Sequence, residues 1–148
     1  MYSIPMHTVP KSNNKLQLVM DHRAGLYSLN SMINHDSIKG TKLDELHSLG
    51  ASLLHFHQQH LNVELVLFKS DVSQAFHCLP MHPLWQVKQI LTVDGQCYVD
   101  CNNNFGGHGS PKVWISFMSL VAWIAIYYFL IDAPKTYMVD SFSYEIAG

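Results

Sequence analysis

A chain of 148 residues, 48% hydrophobic and 14% charged, is long enough to bury the core of one ordinary domain and too apolar to be a disordered tail. Nine Lys and Arg against eleven Asp and Glu give a formal charge of −2 at pH 7, which argues against the basic stripe of a general nucleic-acid binder. The three cysteines, Cys78, Cys97 and Cys101, cannot all pair with one another, and no N-terminal stretch joins a basic start to an apolar core, so a reducing intracellular setting is expected.

In "KLQLVMD" at 15–21, Leu16, Leu18 and Met20 fall on one face and Gln17 on the other, which predicts a strand, and "AGLYSLN" after it reads as a loop. Thr41 with Asp44 resembles a capping box, and Leu43, Leu46, Leu49 and Leu53 recur at helical spacing, predicting a helix over 42–60. His55, His57 and His60 of "HFHQQH" lack a helical His-x-x-x-His pair or a cysteine partner and are not assigned to zinc. "NVELVLFKSD" has a nearly unbroken apolar core from 63 to 68, as a strand buried on both faces has, and its polar end delivers Asp71 to an edge of the core.

In "QVKQILTVDGQCYVD", two β-prone runs flank Asp94-Gly95, whose tolerance of positive φ predicts a two-residue hairpin turn. Cys97 and Cys101 with His108 lack a fourth ligand and are likewise not assigned to zinc. "NNNFGGHGSPK" is a glycine-rich loop, with Ser110 as N-cap and Pro111 at the first position of a helix.

From 113 to 131 no residue is charged, and a run of this length could cross a bilayer, so a small membrane-anchored protein is the rival reading. Ser116, Ser119, Tyr127 and Tyr128 interrupt the run, and positive charge on its flanks is limited to Lys112 and Lys135. A helix followed by a buried strand, "IAIYYFLI", is expected instead, with no membrane partner. After Pro134, "KTYMVDSFSYEI" alternates as a hairpin does, with its turn expected near 139–141.

Two aspartates, Asp71 and Asp140, delivered by separate strands with a glycine loop between them could hold divalent metal for phosphoryl transfer. The words around them are more specific. "KSDVSQAFHCLPMHP", "NFGGHGSPKVW" and "YMVDSFSYE" together resemble the palm motifs of reverse transcriptases, most of all reverse-transcriptase-like proteins of fungal retroelements, and "KLQLVMDHRAGLYSLN" resembles the fingers segment before them. The resemblance implies an α+β fragment, a mixed or antiparallel sheet with helices on one face. Its expected division is fingers-like over 11–62 and palm-like over 63–148, with no thumb and no RNase H domain.

The implied activity is RNA-directed DNA polymerisation, transferring a nucleotidyl group to a primer 3′-hydroxyl with Mg²⁺. The implied partners are an RNA or DNA template-primer and deoxynucleoside triphosphates, with possible completion by another chain. By the same resemblance Asp71 is the first catalytic, metal-binding aspartate and Phe76 lies under the nucleotide sugar. Phe105, Gly106 and Ser110 contact the incoming nucleotide and template, and Lys15 and Tyr137 complete the substrate contacts.

The family's final motif reads Tyr-x-Asp-Asp, whereas Tyr137-Met138-Val139-Asp140 has valine at the first aspartate. Asp140, the remaining catalytic and metal candidate, is expected to point to the opposite face unless the register slips by one residue or the turn is altered. Gln17 stands where the fingers motif has a triphosphate-binding arginine. A degenerate or inactive copy is therefore expected, with a non-catalytic nucleic-acid-binding module as a third reading.

Overall fold

The structure, a computed structural model, describes residues 3–10, 14–40, 43–131 and 134–147. In chain order the elements are β1 (Met6–Pro10), β2 (Leu16–Met20), α1 (His35–Ile38), α2 (Leu46–Gln59), β3 (Leu65–Asp71), α3 (Pro83–Gln86), β4 (Ile90–Val93), β5 (Gln96–Val99), α4 (Ser110–Tyr127), β6 (Lys135–Tyr137) and β7 (Asp140–Ile146). Every strand pairing among them is antiparallel, so the expected α+β class holds. The chain divides into two compact units, 1–39 with 74–113, and 40–73 with 114–148.

The first unit holds two two-stranded ribbons, β1 with β2 and β4 with β5. Strand β2 lies where the alternation places it. Its partner β1 was not anticipated, because His7, Thr8 and Pro10 break the apolar alternation that marks a strand. Between β4 and β5, Asp94 and Gly95 have φ of 50° and 75°, both positive as the mirror-image type I turn requires. The polar core of this unit centres on the fully buried Gln89. Its amide donates to the carbonyls of Asp100 (3.0 Å) and Asn102 (2.9 Å) and accepts from Asn104 Nδ2 (3.0 Å). Each such bond removes a desolvation cost that an unpaired amide would carry.

The second unit is built on the sheet β3-β7-β6. Helix α2 begins at Leu46, later than expected, with Glu45 at its N-cap. Thr41 and Lys42 lie outside the described residues. Asp44 does not cap the helix: its Oδ2 accepts from Thr136 N at 2.9 Å and lies 3.4 Å from Thr136 Oγ1, tying the approach of α2 to β6.

Two expectations fail on burial and length. Strand β3 is not buried on both faces: it is an edge strand, and Val66, Leu67 and Phe68 are 53%, 60% and 41% exposed. The run after Ser110 is one helix to Tyr127, not a helix followed by a strand. No Gly or Pro interrupts 113–131, and β-branched residues cost a helix only about 0.5 kcal/mol each, less than starting a new element would. Ser110, Trp114 and Met118, four apart, are buried, whereas Leu120, Trp123 and Tyr127 are exposed. By length and composition alone α4 could cross a membrane, with 18 residues and a mean hydropathy of 1.3.

Candidate functional site

In the second unit, Asp71 ends β3 and Asp140 begins β7, and the two are direct partners in the register. Directly opposed residues project to the same face, with Cβ atoms about 4.5–5.5 Å apart. Asp140 therefore shares a face with Asp71 without a register slip, by the second of the two routes expected. The reason is the turn: Tyr137 pairs with Asp140, so the hairpin closes at Met138 and Val139, not at 139–141. Val139 is a turn residue, and the alternation that separates strand neighbours does not apply across it.

The turn is pinned from two sides. The buried Trp114 donates its indole N–H to the Met138 carbonyl at 2.6 Å, and Val72 N–H donates to the Val139 carbonyl at 3.2 Å. Met138 sits at φ 52°, a conformation that costs a side-chain-bearing residue about 1 kcal/mol or more, so these bonds hold a strained position. Lys69, two residues before Asp71 and on its face, places its ammonium 3.0 Å from Asp140 Oδ2 and 5.7 Å from the centroid of Phe142. An open cleft of about 540 Å³ is lined by Glu45, His47, Tyr137, Asp140 and Phe142.

A magnesium ion demands about six oxygens in near-octahedral array, of which a protein commonly supplies one or two carboxylates. Here Val139 offers no side-chain oxygen and the Asp140 carboxylate is engaged by Lys69. No group of three or more His, Cys, Asp or Glu that could hold a metal occurs among the described residues. The residues present do not fit a two-metal centre.

In the first unit, Phe76 is buried in the turn Ala75–Cys78, with its ring 4.6 Å from that of the half-exposed Phe105. Gly106 adopts φ +93°, open to glycine and strained for any other residue. Asn30, which the sequence reading missed, clamps the glycine loop: its Nδ2 donates to the Gly106 carbonyl and its Oδ1 accepts from His108 N–H, both at 2.7 Å. Ser110 is buried beneath the loop, and its N–H bonds the Gly107 carbonyl at 3.1 Å. Lys15 is exposed immediately before β2.

Two histidines lie at the same loop. Arg23 reaches His108 Nε2 through Nη2 at 3.0 Å and Nε at 3.3 Å. Because a guanidinium only donates, Nε2 is the acceptor and the ring proton lies on Nδ1, which is buried without a hydrogen-bond partner. Burial, then the nearby Arg23 and His35, hold His108 below its ordinary value of 6.5. Neither ring nitrogen of the buried His22 has a partner; burial lowers its pKa, against an opposing pull from Asp100 and Asp21. No local signal announces the Arg23–His108 contact, since the two lie 85 positions apart in sequence.

No protein-family model and no curated protein sequence matches the chain. Its fold is nevertheless similar to solved viral structures. One is the prototype foamy virus protease-reverse transcriptase, at a TM-score of 0.65 and 17% identity, covering 95% of this chain and 16% of that one. Another is the foamy viral protease-reverse transcriptase in complex with double-stranded DNA, at 0.66 and 21%, covering 95% and 21%. A third is the foamy viral enzyme with an RNA/DNA hybrid, at 0.61 and 19%, covering 95% and 16%. The chain thus has a reverse-transcriptase-like fold and spans a minor part of each neighbour's length.

Proposed function

We propose that the chain is a fingers-palm segment of a reverse-transcriptase-like protein of retroelement origin, whose nucleotidyl-transfer site is degenerate. The observation that carries this reading is Asp71 opposite Asp140 at the mouth of a hairpin whose turn holds Val139, within a reverse-transcriptase-like fold. The parent reaction would join a deoxynucleotide to a primer 3′-hydroxyl on an RNA template. The nucleic-acid complexes formed by the similar viral proteins support a template-primer as the partner. Mg²⁺ would supply the charge neutralisation of that chemistry, and the poor fit of the residues to it is the reason for reading the site as degenerate.

Within the reading, Asp71 is the surviving metal-binding carboxylate. Gly106, lacking a Cβ, lets a substrate approach the backbone of the loop closely. Phe105, exposed on that loop, offers a flat face to a base or sugar. Phe76 would act from beneath by fixing the Phe105 ring. Lys15 and Tyr137 would contribute phosphate and base contacts, and Ser110 holds the loop in shape.

The test is primer extension on an RNA template with Mg²⁺, comparing the chain as it stands with Val139→Asp, each joined to the thumb of a related enzyme. Extension by the Asp version alone supports the reading. Equal extension by the unmodified chain refutes the degeneracy, and extension by neither, nor by Val139→Asp with Lys69→Met added to free Asp140, refutes the assignment of this hairpin to nucleotidyl transfer.

A further inference from the structure

We propose that the Lys69 ammonium is the built-in cation of the Asp71–Asp140 pair, occupying the position a divalent ion would need and excluding it. This rests on the reading of that pair as the remnant of a metal site. The register of the sheet organises one face into two rows. Asp71, Asp140 and Tyr137 form the first, and Lys69, Phe142 and Lys135 the second. Two carboxylates thus stand beside two ammonium groups, and the face itself carries no net negative charge.

Lys69 is held where it acts. Its Nζ lies 3.0 Å from Asp140 Oδ2, an ordinary charge-assisted bond, and 5.7 Å from the centroid of the Phe142 ring, within cation–π range. An incoming divalent ion would have to break this bond and then sit close to an ammonium. An exposed pair of this kind shifts an equilibrium by up to roughly fivefold. Repulsion between a divalent ion and an ammonium a few Å away adds about tenfold even in water-like surroundings. The remaining acidic residue at the cleft, Glu45, lies at the N-cap of α2, and Asp44 beside it is bonded to Thr136.

The experiment is Mn²⁺ binding by the whole chain, followed by the paramagnetic resonance of the free ion, for the unmodified protein, Lys69→Met, and Lys69→Met with Asp140→Asn. Circular dichroism checks that each is folded, and Lys69→Gln replaces Lys69→Met should the latter not fold. The expected result is an affinity at least about tenfold higher in the single variant, lost again when Asp140 is also changed. Equal binding by the unmodified and single-variant chains overturns the proposal, whether both bind or neither does. So does a gain that survives Asp140→Asn, which would put the ion elsewhere. Because no polymerisation is measured, failure here speaks to Lys69, whereas failure of Val139→Asp combined with Lys69→Met to extend a primer speaks to the functional reading.

Discussion

Asn30→Ala removes both bonds by which a buried side chain holds the glycine loop, one to the Gly106 carbonyl and one from His108 N–H, each 2.7 Å long. The net value of an intact bond is about 1 kcal/mol, but a truncated partner leaves its counterpart unpaired at about 1–3 kcal/mol. Gly106 and His108 are not deeply buried, so water recovers part of that cost and the lower half of the range applies to each. With a small cavity where the amide was, the sum is about 3 kcal/mol. Urea denaturation followed by circular dichroism reads this as a midpoint lowered by about 1–3 M, using a slope of about 1–3 kcal/mol per M. Asn30→Asp separates the two bonds. It keeps an acceptor for His108 N–H and sets a carboxylate against the Gly106 carbonyl, so amide exchange at His108 stays slow in the aspartate variant and speeds up in the alanine one. A stability loss below about 0.5 kcal/mol with unchanged exchange in Asn30→Ala would refute the clamp, because so small an effect is ordinary for a surface change.

Three further outcomes follow from the same geometry. A Cβ on Gly107 would lie 2.8 Å from Ser110 Oγ, so Gly107→Ala should cost about 1–3 kcal/mol in denaturant unfolding, and adding Ser110→Ala should recover most of it; no recovery would mean the backbone is what resists. His22 and His108 are held below 6.5, so the unfolded chain binds more protons than the folded one as pH falls past that value. Stability should therefore be full above pH 6.5 and decline below it, with a shallower decline in His22→Leu; a melting temperature that does not move between about pH 7.5 and 5 would exclude this. Trp114→Phe keeps an aromatic ring but loses the indole bond to Met138, and should cost about 1–2 kcal/mol, read as a fall in melting temperature of about 2–4 °C per kcal/mol.

What could be read in the sequence was whatever a few adjacent residues decide. Asp94-Gly95 announces its own turn because both positions need positive φ, and Ser110-Pro111 announces a helix start because serine and proline suit those positions. Strand β3 was legible as a strand, its exposure was not, since that depends on which distant elements cover its faces and not on the strand's own residues. The 113–131 run was misread because its composition suits both helix and strand, and only the absence of a breaker decides between them. The clamp of Asn30 on Gly106, 76 positions away, has no counterpart in any local pattern.

The candidate site illustrates the same division more sharply. As neighbours on a strand, Val139 and Asp140 would face opposite sides, whereas a two-residue turn places only Asp140 in the ladder and sets it opposite Asp71. Facing carboxylates would ordinarily argue for a cation site, since two like charges about 5 Å apart repel unless something positive stands between or beside them. The cation already present is Lys69, whose position was fixed by the same register that brought the aspartates together. The lack of a side-chain oxygen at Val139 and the engagement of Asp140 by Lys69 are independent features, one in the turn and one on the strand face. Each alone would weaken a divalent ion's hold, and both act on the same pair of carboxylates. A replacement at Val139 therefore tests the proposed loss of a ligand, and a replacement at Lys69 tests the proposed exclusion of an ion from Asp140.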